Sequence, residues 1–205
     1  MAQEEQVLVF ERKVFEQLGL FHGLKFDVDN YLEQLFAPGV LRFIPRSLAE
    51  NDPSFKQLIP YVIMTHDNKY LNYIRGKRAG ETRLVEKRSI GIGGHINPVD
   101  NDVPLFNDYR DIYDRAVERE VAEEVKINAN HTGRIAALLN DDTNEVGRVH
   151  LGVVHLWRLD SDNVERKEQM ITQMTFKTIE ELNQTHNTME TWSALCLEGL
   201  EKMSK

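Results

Sequence analysis

The amino-acid sequence predicts an α/β sandwich, a mixed β-sheet between helices, preceded by a smaller α/β extension. Three observations predict it. Apolar runs of strand length lie on both sides of one patterned helix, "RAVEREVAEEVKI" (Arg115 to Ile127). A second amphipathic segment, "TWSALCLEGLEKM", closes the chain, and 205 residues with 41% apolar side chains suffice for one sizeable core. The expected division is an N-terminal extension over 1–53 and a main domain over 54–205.

In chain order, "QVLVFER" reads as a short strand, and "VFEQLG" and "DNYLEQLF" read as short helices closed by glycine-containing turns. "PGVLRFIPRSLAENDPS" reads as a loop-rich join into the main domain. "QLIPYVIMTHDNKYLNYIRGK" places two apolar strands around "HDNK", a hairpin. "ETRLVEKRSIGI" supplies the next strand, which breaks at Gly93-Gly94, where glycines allow backbone to approach a ligand closely. After the helix, "RIAALLNDDTNEVGRVHLGVVHLWRL" gives two long β runs around a turn at Asp141 to Gly147. No internal repeat or low-complexity linker interrupts this order.

Composition excludes several classes. A net charge of −8 argues against a general nucleic-acid binder or an anionic-membrane binder. The single cysteine, Cys196, excludes an intrachain disulfide and sits in an apolar pattern as a small hydrophobe. No apolar run is long enough to span a bilayer, and "MAQEEQVLVFERK" is too acidic at its start for a signal peptide, so a cytoplasmic location is expected.

The central helix carries the chemistry. Counted at about 100° per residue, Ile112, Tyr113, Ala116 and Val117 share a sector, and Glu120, Glu123 and Glu124 fall in it further along. Val121 and Val125 anchor the adjoining sector. Glutamates at this spacing repel by roughly 0.2–0.5 kcal/mol per pair, and carboxylates aimed at an interior need cations. Arg119 alone cannot neutralise three. Clustered carboxylate oxygens are what hard divalent cations such as Mg²⁺ take as ligands, beside waters and substrate phosphates.

The glycine break followed by "REVAEEVKI" resembles the signature of the Nudix hydrolases, GX5EX7REUXEEXGU with U aliphatic. The second half matches at every defined position except Lys126, which stands where the family has glycine. Gly94 is the matching first glycine. Seven residues before Arg119 stands Asp111 in place of glutamate, and "HINPVDNDVPLFNDYR" lengthens the intervening loop. Asp100 keeps the uninserted spacing from Gly94 but lies too far from Arg119 to share its helical turns. "TFKTIEEL" looks like the family's strand that runs into an acidic helix start. The resemblance covers roughly Ser54 to the C-terminus.

It implies a hydrolase, dependent on Mg²⁺ or Mn²⁺, that cleaves the diphosphate linkage in a nucleoside diphosphate joined to another moiety. Glu123, Glu124 and the Gly94 carbonyl are the implied metal ligands. Glu120 would bind a second metal or act as base, and Arg119 would orient a glutamate. Asp111 and His95 are further candidates, Glu145, Glu165 and Glu168 are candidate loop bases, and Arg75, Lys77, Arg78, Arg83 and Lys87 form a basic hairpin that suits phosphates or plain solvent. The inserted loop, His95 to Arg110, is expected to shape the leaving-group side of the pocket. Its Val103, Leu105 and Phe106 can fasten it to the body or to a partner subunit, and a homodimer is one state the sequence leaves open. The alternative is a silent Nudix-fold module that binds a nucleotide or a partner. An isoprenoid diphosphate isomerase needs a reactive cysteine near the site, and Cys196 lies in the last helix.

Overall fold

The computed structural model describes residues 4–76, 87–101, 108–168 and 171–204. The chain begins with β1 (Gln6–Glu11), α1 (Arg12–Leu18), β2 (Gly23–Lys25), α2 (Asp29–Leu35), β3 (Arg42–Pro45) and α3 (Arg46–Asn51). The hairpin strands β4 (Phe55–His66) and β5 (Lys69–Arg75) follow, then β6 (Arg88–Ser89), β7 (Gly91–Gly93), a 3-10 turn at Pro98–Asp100 and the central helix α4 (Tyr109–Glu124). Beyond it come β8 (Val125–Ile127), β9 (His131–Asn140), α5 (Glu145–Arg148), β10 (His150–Leu159), β11 (Val164–Arg166) and β12 (Ile171–Lys177). The chain closes with α6 (Ile179–Asn183), a 3-10 turn at His186–Thr188 and α7 (Thr191–Met203).

Strand alternation in β4 sends Leu58, Val62 and Met64 to one side of the sheet and Tyr61 and Ile63 to the other. The first set packs with Ile112, Tyr113, Ala116, Val117 and Val121 of α4, the second with Cys196, Leu197 and Leu200 of α7. Both faces of β4 are buried, and this makes the protein an α/β/α sandwich. The sheet runs β12-β5-β4-β10-β9-β2, and β4 with β10 is its parallel pair, so the sheet is mixed. Asp67 and Asn68 close the β4–β5 hairpin at φ of 46° and 58°, the left-handed conformation that tight hairpin turns demand.

The two hairpin strands pair only at Thr65↔Tyr70 and His66↔Lys69 before they diverge. β6 pairs with β5 and β7 pairs with β4 in the gap between them. The strand expected as one run over "ETRLVEKRSIGI" is therefore two short ones, because the chain crosses from one neighbour to the next at Ile90. The first part of that run, with Lys77, Arg78 and Arg83, lies outside the described residues. This wedge carries the chain past Gly93, beside α4.

The N-terminal residues enter the same sheet at two places: β1 pairs with β4 and β3, and β2 pairs with the edge of β9. The segment expected as a loop-rich join forms β3 and α3 instead. Its hydrogen bonds come from β1, a partner that four residues of local pattern cannot reveal. Pro45 ends β3 and leads into α3, where Ala49 packs on Val7 and Val9.

One buried cation ties this N-terminal half to the β9–β10 connection. Lys56 is fully buried, and its Nζ donates to Asn140 Oδ1 (2.7 Å), Asp142 Oδ1 (2.9 Å) and the carbonyls of Gly147 and His150 (3.0 Å each). Arg12 reaches Asp142 from the other side. Lys56→Met would leave Asn140 Oδ1 and the two carbonyls without a donor while Asp142 keeps Arg12. It should cost about 1–3 kcal/mol, read as a lowered midpoint in urea denaturation.

Candidate active site

The site is built on the second half of α4. Asp108 caps the helix by accepting from Arg110 N at 2.9 Å. Tyr113 anchors the buried face through a 2.6 Å hydrogen bond between its hydroxyl and Nε2 of His155, an imidazole that burial pushes down to about 4. With the helix axis fixed this way, the later residues are aimed by periodicity alone.

Arg119 is the junction. Its Nε and Nη2 grip both oxygens of Asp100 at 2.7 and 3.0 Å, and Nη2 also reaches the His95 carbonyl at 2.9 Å. Nη1 donates to Glu120 Oε1 at 2.9 Å and to Glu123 Oε1 at 3.3 Å. Arg115 Nε holds the Asp100 carbonyl at 2.6 Å. Asp100 is nearly fully buried and also accepts from Asn97 N, closing the 3-10 turn. The acid that Arg119 grips with two nitrogens is thus Asp100, whereas the candidate Asp111 is exposed on the first turn of α4. Asp100 reaches Arg119 from outside the helix, so helical register does not find it; its spacing from Gly94 does.

Gly94 lies against Glu120. A Cβ at residue 94 would sit 2.0 Å from Glu120 Oε2, so the carboxyl occupies the space that any other residue's side chain would need. Gly93 is as tightly placed, 2.3 Å from the Pro60 carbonyl by the same measure.

The three glutamates separate. Glu120 and Glu124 lie about 40° apart near the centre of the buried sector, whereas Glu123 falls about 60° to the other side of Glu120. The side chain of Glu120 is only 14% exposed, that of Glu123 55% exposed. The sequence expectation of one shared inward sector therefore holds for two and places the third at the rim. Burial raises the Glu120 carboxyl, and Arg119 opposes that rise.

Glu124 is the most perturbed acid. Burial pushes it up to about 7, the charge of Arg75 pulls it down, and Glu168 and Glu120 push it further up. Its Oε2 is buried with no hydrogen-bond partner among the described residues. Glu168 comes beside it because the backbone N–H groups of Lys167 and Glu168 donate to the Glu124 carbonyl at 2.9 and 3.2 Å. Glu145 and Glu165 are exposed elsewhere, Glu165 accepting from Asn128. His95 is held neutral, pushed down to about 3 by burial, and its ring packs against His150 at 5.8 Å. Lys126, in the signature's last glycine position, lies in β8 opposite Glu165. The helix passes straight into extended backbone there, so no left-handed residue is needed.

A cleft of about 470 Å³ opens on the other flank of Arg119, lined by Val99, Asp100, Asp114, Arg115, Glu118 and Arg119. Neither Glu120 nor Glu124 lines it. Of the inserted loop, residues 102–107, with Val103, Leu105 and Phe106, lie outside the described residues.

A search of protein-family models finds no match. The curated Protein YmaB of Bacillus subtilis (strain 168) is 33% identical over 207 residues, spanning 97% of this chain and 98% of the relative. The crystal structure of Tm1382, provisionally assigned as a Nudix hydrolase, is 30% identical, covers 97% of this chain and all of its own, and superposes with a TM-score of 0.79. The Nudix domain of Shewanella oneidensis NrtR, solved with ADP-ribose, shares the fold at 11% identity and a TM-score of 0.55 over 73% of this chain and 89% of that one. The chain belongs to the Nudix family. Among the described residues no helix is long and apolar enough to cross a membrane.

The raised Glu124 carboxyl has a consequence for stability. Its folded pKa lies above the ordinary 4.5, so the fold is favoured by its proton; that contribution is full below about pH 4.5 and is lost as pH rises through about 7. In chelator-treated protein, Glu124→Gln should melt above wild type near pH 8 and converge with it near pH 4.5. Parallel melting curves across that window would show that Glu124 carries no such penalty.

Proposed function

We propose that the protein is a metal-dependent pyrophosphohydrolase that cleaves the diphosphate linkage of a nucleoside diphosphate joined to another group. The observation that carries this reading is the buried, unpartnered Glu124 Oε2 one helical turn from Glu120, whose carboxyl rests on Gly94. An orphaned carboxylate oxygen in that place fits a cation. Glu120, Glu124 and the Gly94 carbonyl would hold Mg²⁺ or Mn²⁺, with Glu123 at the rim. Among the described residues no three His, Cys, Asp or Glu side chains surround one metal position. A cation there would depend on backbone, water and substrate oxygens as well, which is usual for Mg²⁺. When bound, it neutralises phosphate oxygens and makes a coordinated water easier to deprotonate.

The protein's own groups do the rest. Arg119 fixes Glu120 and, through Asp100 and the His95 carbonyl, the turn that presents Gly94. In this reading Glu168, whose backbone N–H donates to the Glu124 carbonyl, takes the proton of the attacking water, with Glu120 the other candidate for that role. The water oxygen bonds to phosphorus, the bridging P–O bond breaks, and two phosphate-terminated products leave. The substrate is a small diphosphate.

The missing three-ligand cluster favours one other reading, a Nudix-fold module that binds a nucleotide or a partner without turnover. Turnover separates the two. ADP-ribose, nucleotide sugars, dinucleotides and nucleoside triphosphates should be offered with Mg²⁺ and Mn²⁺, and at least one should be hydrolysed. Glu124→Gln should lower that rate by about 100-fold or more, with Glu123→Gln less affected; activity that survives Glu120→Gln and Glu124→Gln together would sink the assignment. Separately, millimolar Mg²⁺ should raise the melting temperature of chelator-stripped wild type, by mass action on the folded state. The same addition should leave Glu124→Gln unmoved.

A further inference from the structure

A buried polar cluster lies outside the helix that carries the proposed metal ligands. Glu190, at the start of α7, is 6% exposed. Its Oε1 accepts from three hydroxyls, Tyr61 (3.0 Å), Ser89 (2.6 Å) and Ser193 (3.1 Å), and its Oε2 accepts from Arg75 Nε at 3.2 Å. The backbone is fixed as well, since Glu190 N donates to the Arg88 carbonyl at 3.0 Å. Tyr61 cannot swing away: a Cβ at Gly91 would lie 2.2 Å from its ring, and Trp192 packs edge-on against it. Four side chains from β4, β6 and the start of α7 thus hold one guanidinium, at the end of β5, in one place.

Arg75 sits at the edge of the carboxylate centre: it pairs across the sheet with Ile171, whose N–H donates to the Glu168 carbonyl at 3.3 Å, and the Glu168 N–H in turn donates to the Glu124 carbonyl at 3.2 Å. The side chain of Arg75 is 20% exposed and lies over the Tyr73 ring at 5.6 Å. Its charge acts on Glu124, yet among the described residues its ion pair is with Glu190, not with Glu124. Held by Glu190 rather than by Glu124, the guanidinium stands beside the carboxylate centre without being neutralised by it. Arg119 cannot serve there, because its fork is taken up by Asp100, the His95 carbonyl and two glutamates. A buried ion pair is weak evidence for stability, because desolvation offsets its attraction; its value here is direction. A forked guanidinium is suited to phosphate oxygens.

We propose that Arg75 is a diphosphate-binding residue and that Glu190 is its positioning residue, so that α7 on the far face of the sheet sets the geometry of the substrate's anion. This rests on the hydrolase reading above. The test is titration calorimetry of inorganic pyrophosphate with Mg²⁺ into wild type, Arg75→Lys, Glu190→Gln and the double variant Arg75→Met/Glu190→Gln. The double variant removes both charges and leaves neither buried alone, so it should keep a melting temperature close to wild type. It should nevertheless bind pyrophosphate at least tenfold more weakly. Arg75→Lys should recover part of that loss, and Glu190→Gln, which keeps the cation but frees it, should fall between wild type and the double variant. Wild-type affinity in the double variant overturns the inference and leaves the hydrolase reading standing, whereas wild type that binds no pyrophosphate while it hydrolyses none of the offered diphosphates overturns both. Full affinity in Glu190→Gln alone overturns the positioning role.

Discussion

Arg119 makes five hydrogen bonds to four residues, and the arrangement of the site follows from them. Two go to Asp100 and lock the 3-10 turn to the helix. One goes to the His95 carbonyl and fixes the backbone just past Gly94, and the others steer Glu120 and Glu123. Charge-assisted bonds of this kind are short and directional, and a buried Asp100 without its arginine would be an unpaired charge. The helix and the glycine turn are therefore not independently placed. Gly94 approaches Glu120 with Arg119 bonded both to Glu120 and to the residue after Gly94, and Glu124, one turn on, inherits its position from the same helix.

Charge is arranged around this junction in layers. Asp100 neutralises the arginine on the buried side, which leaves Glu120 and Glu124 undercompensated. Burial then opposes their ionisation, and Arg75 and Arg119 oppose burial. On the proposed reading, fold stability and cation affinity would pull in opposite directions at Glu124: the desolvation that disfavours its charge would strengthen its attraction for a cation. Such trade-offs are expected where a site is preorganised for a ligand.

Much of this was legible in the sequence, for physical reasons that differ by element. Helical periodicity locates the buried face of α4, since Ile112, Tyr113, Ala116 and Val117 recur at the spacing that one docked face requires. The same count aims Glu120 and Glu124 inward but treats Glu123 as their equal, because a sector has no sharp edge in sequence and a rim does in space. Asp111 draws attention by its place on the helix, yet Arg119 is long enough to reach an acid that is not on the helix, so spacing from Gly94 is the better guide to Asp100. β2 and β3 are too short for their own periodicity to show; distant strands define them. Glu190 leaves no local trace, since Tyr61, Ser89 and Arg75 are brought to it by the sheet.

The placement of β2 on the far edge of β9 bears on how the chain reaches this structure. β1 can pair with β3 within the first fifty residues, but β2 waits for a partner strand that ends at Asn140, and the second edge of β1 waits for β4. Non-local pairing of this kind slows folding, because loop closure must precede the contacts that reward it. It also gives the N-terminal residues the character of a latch that closes late. Once in place, β2 covers an edge of β9 that would otherwise offer a row of unpaired backbone groups to another chain. Without β2 that edge would be bare, an open template for a second chain to add a strand.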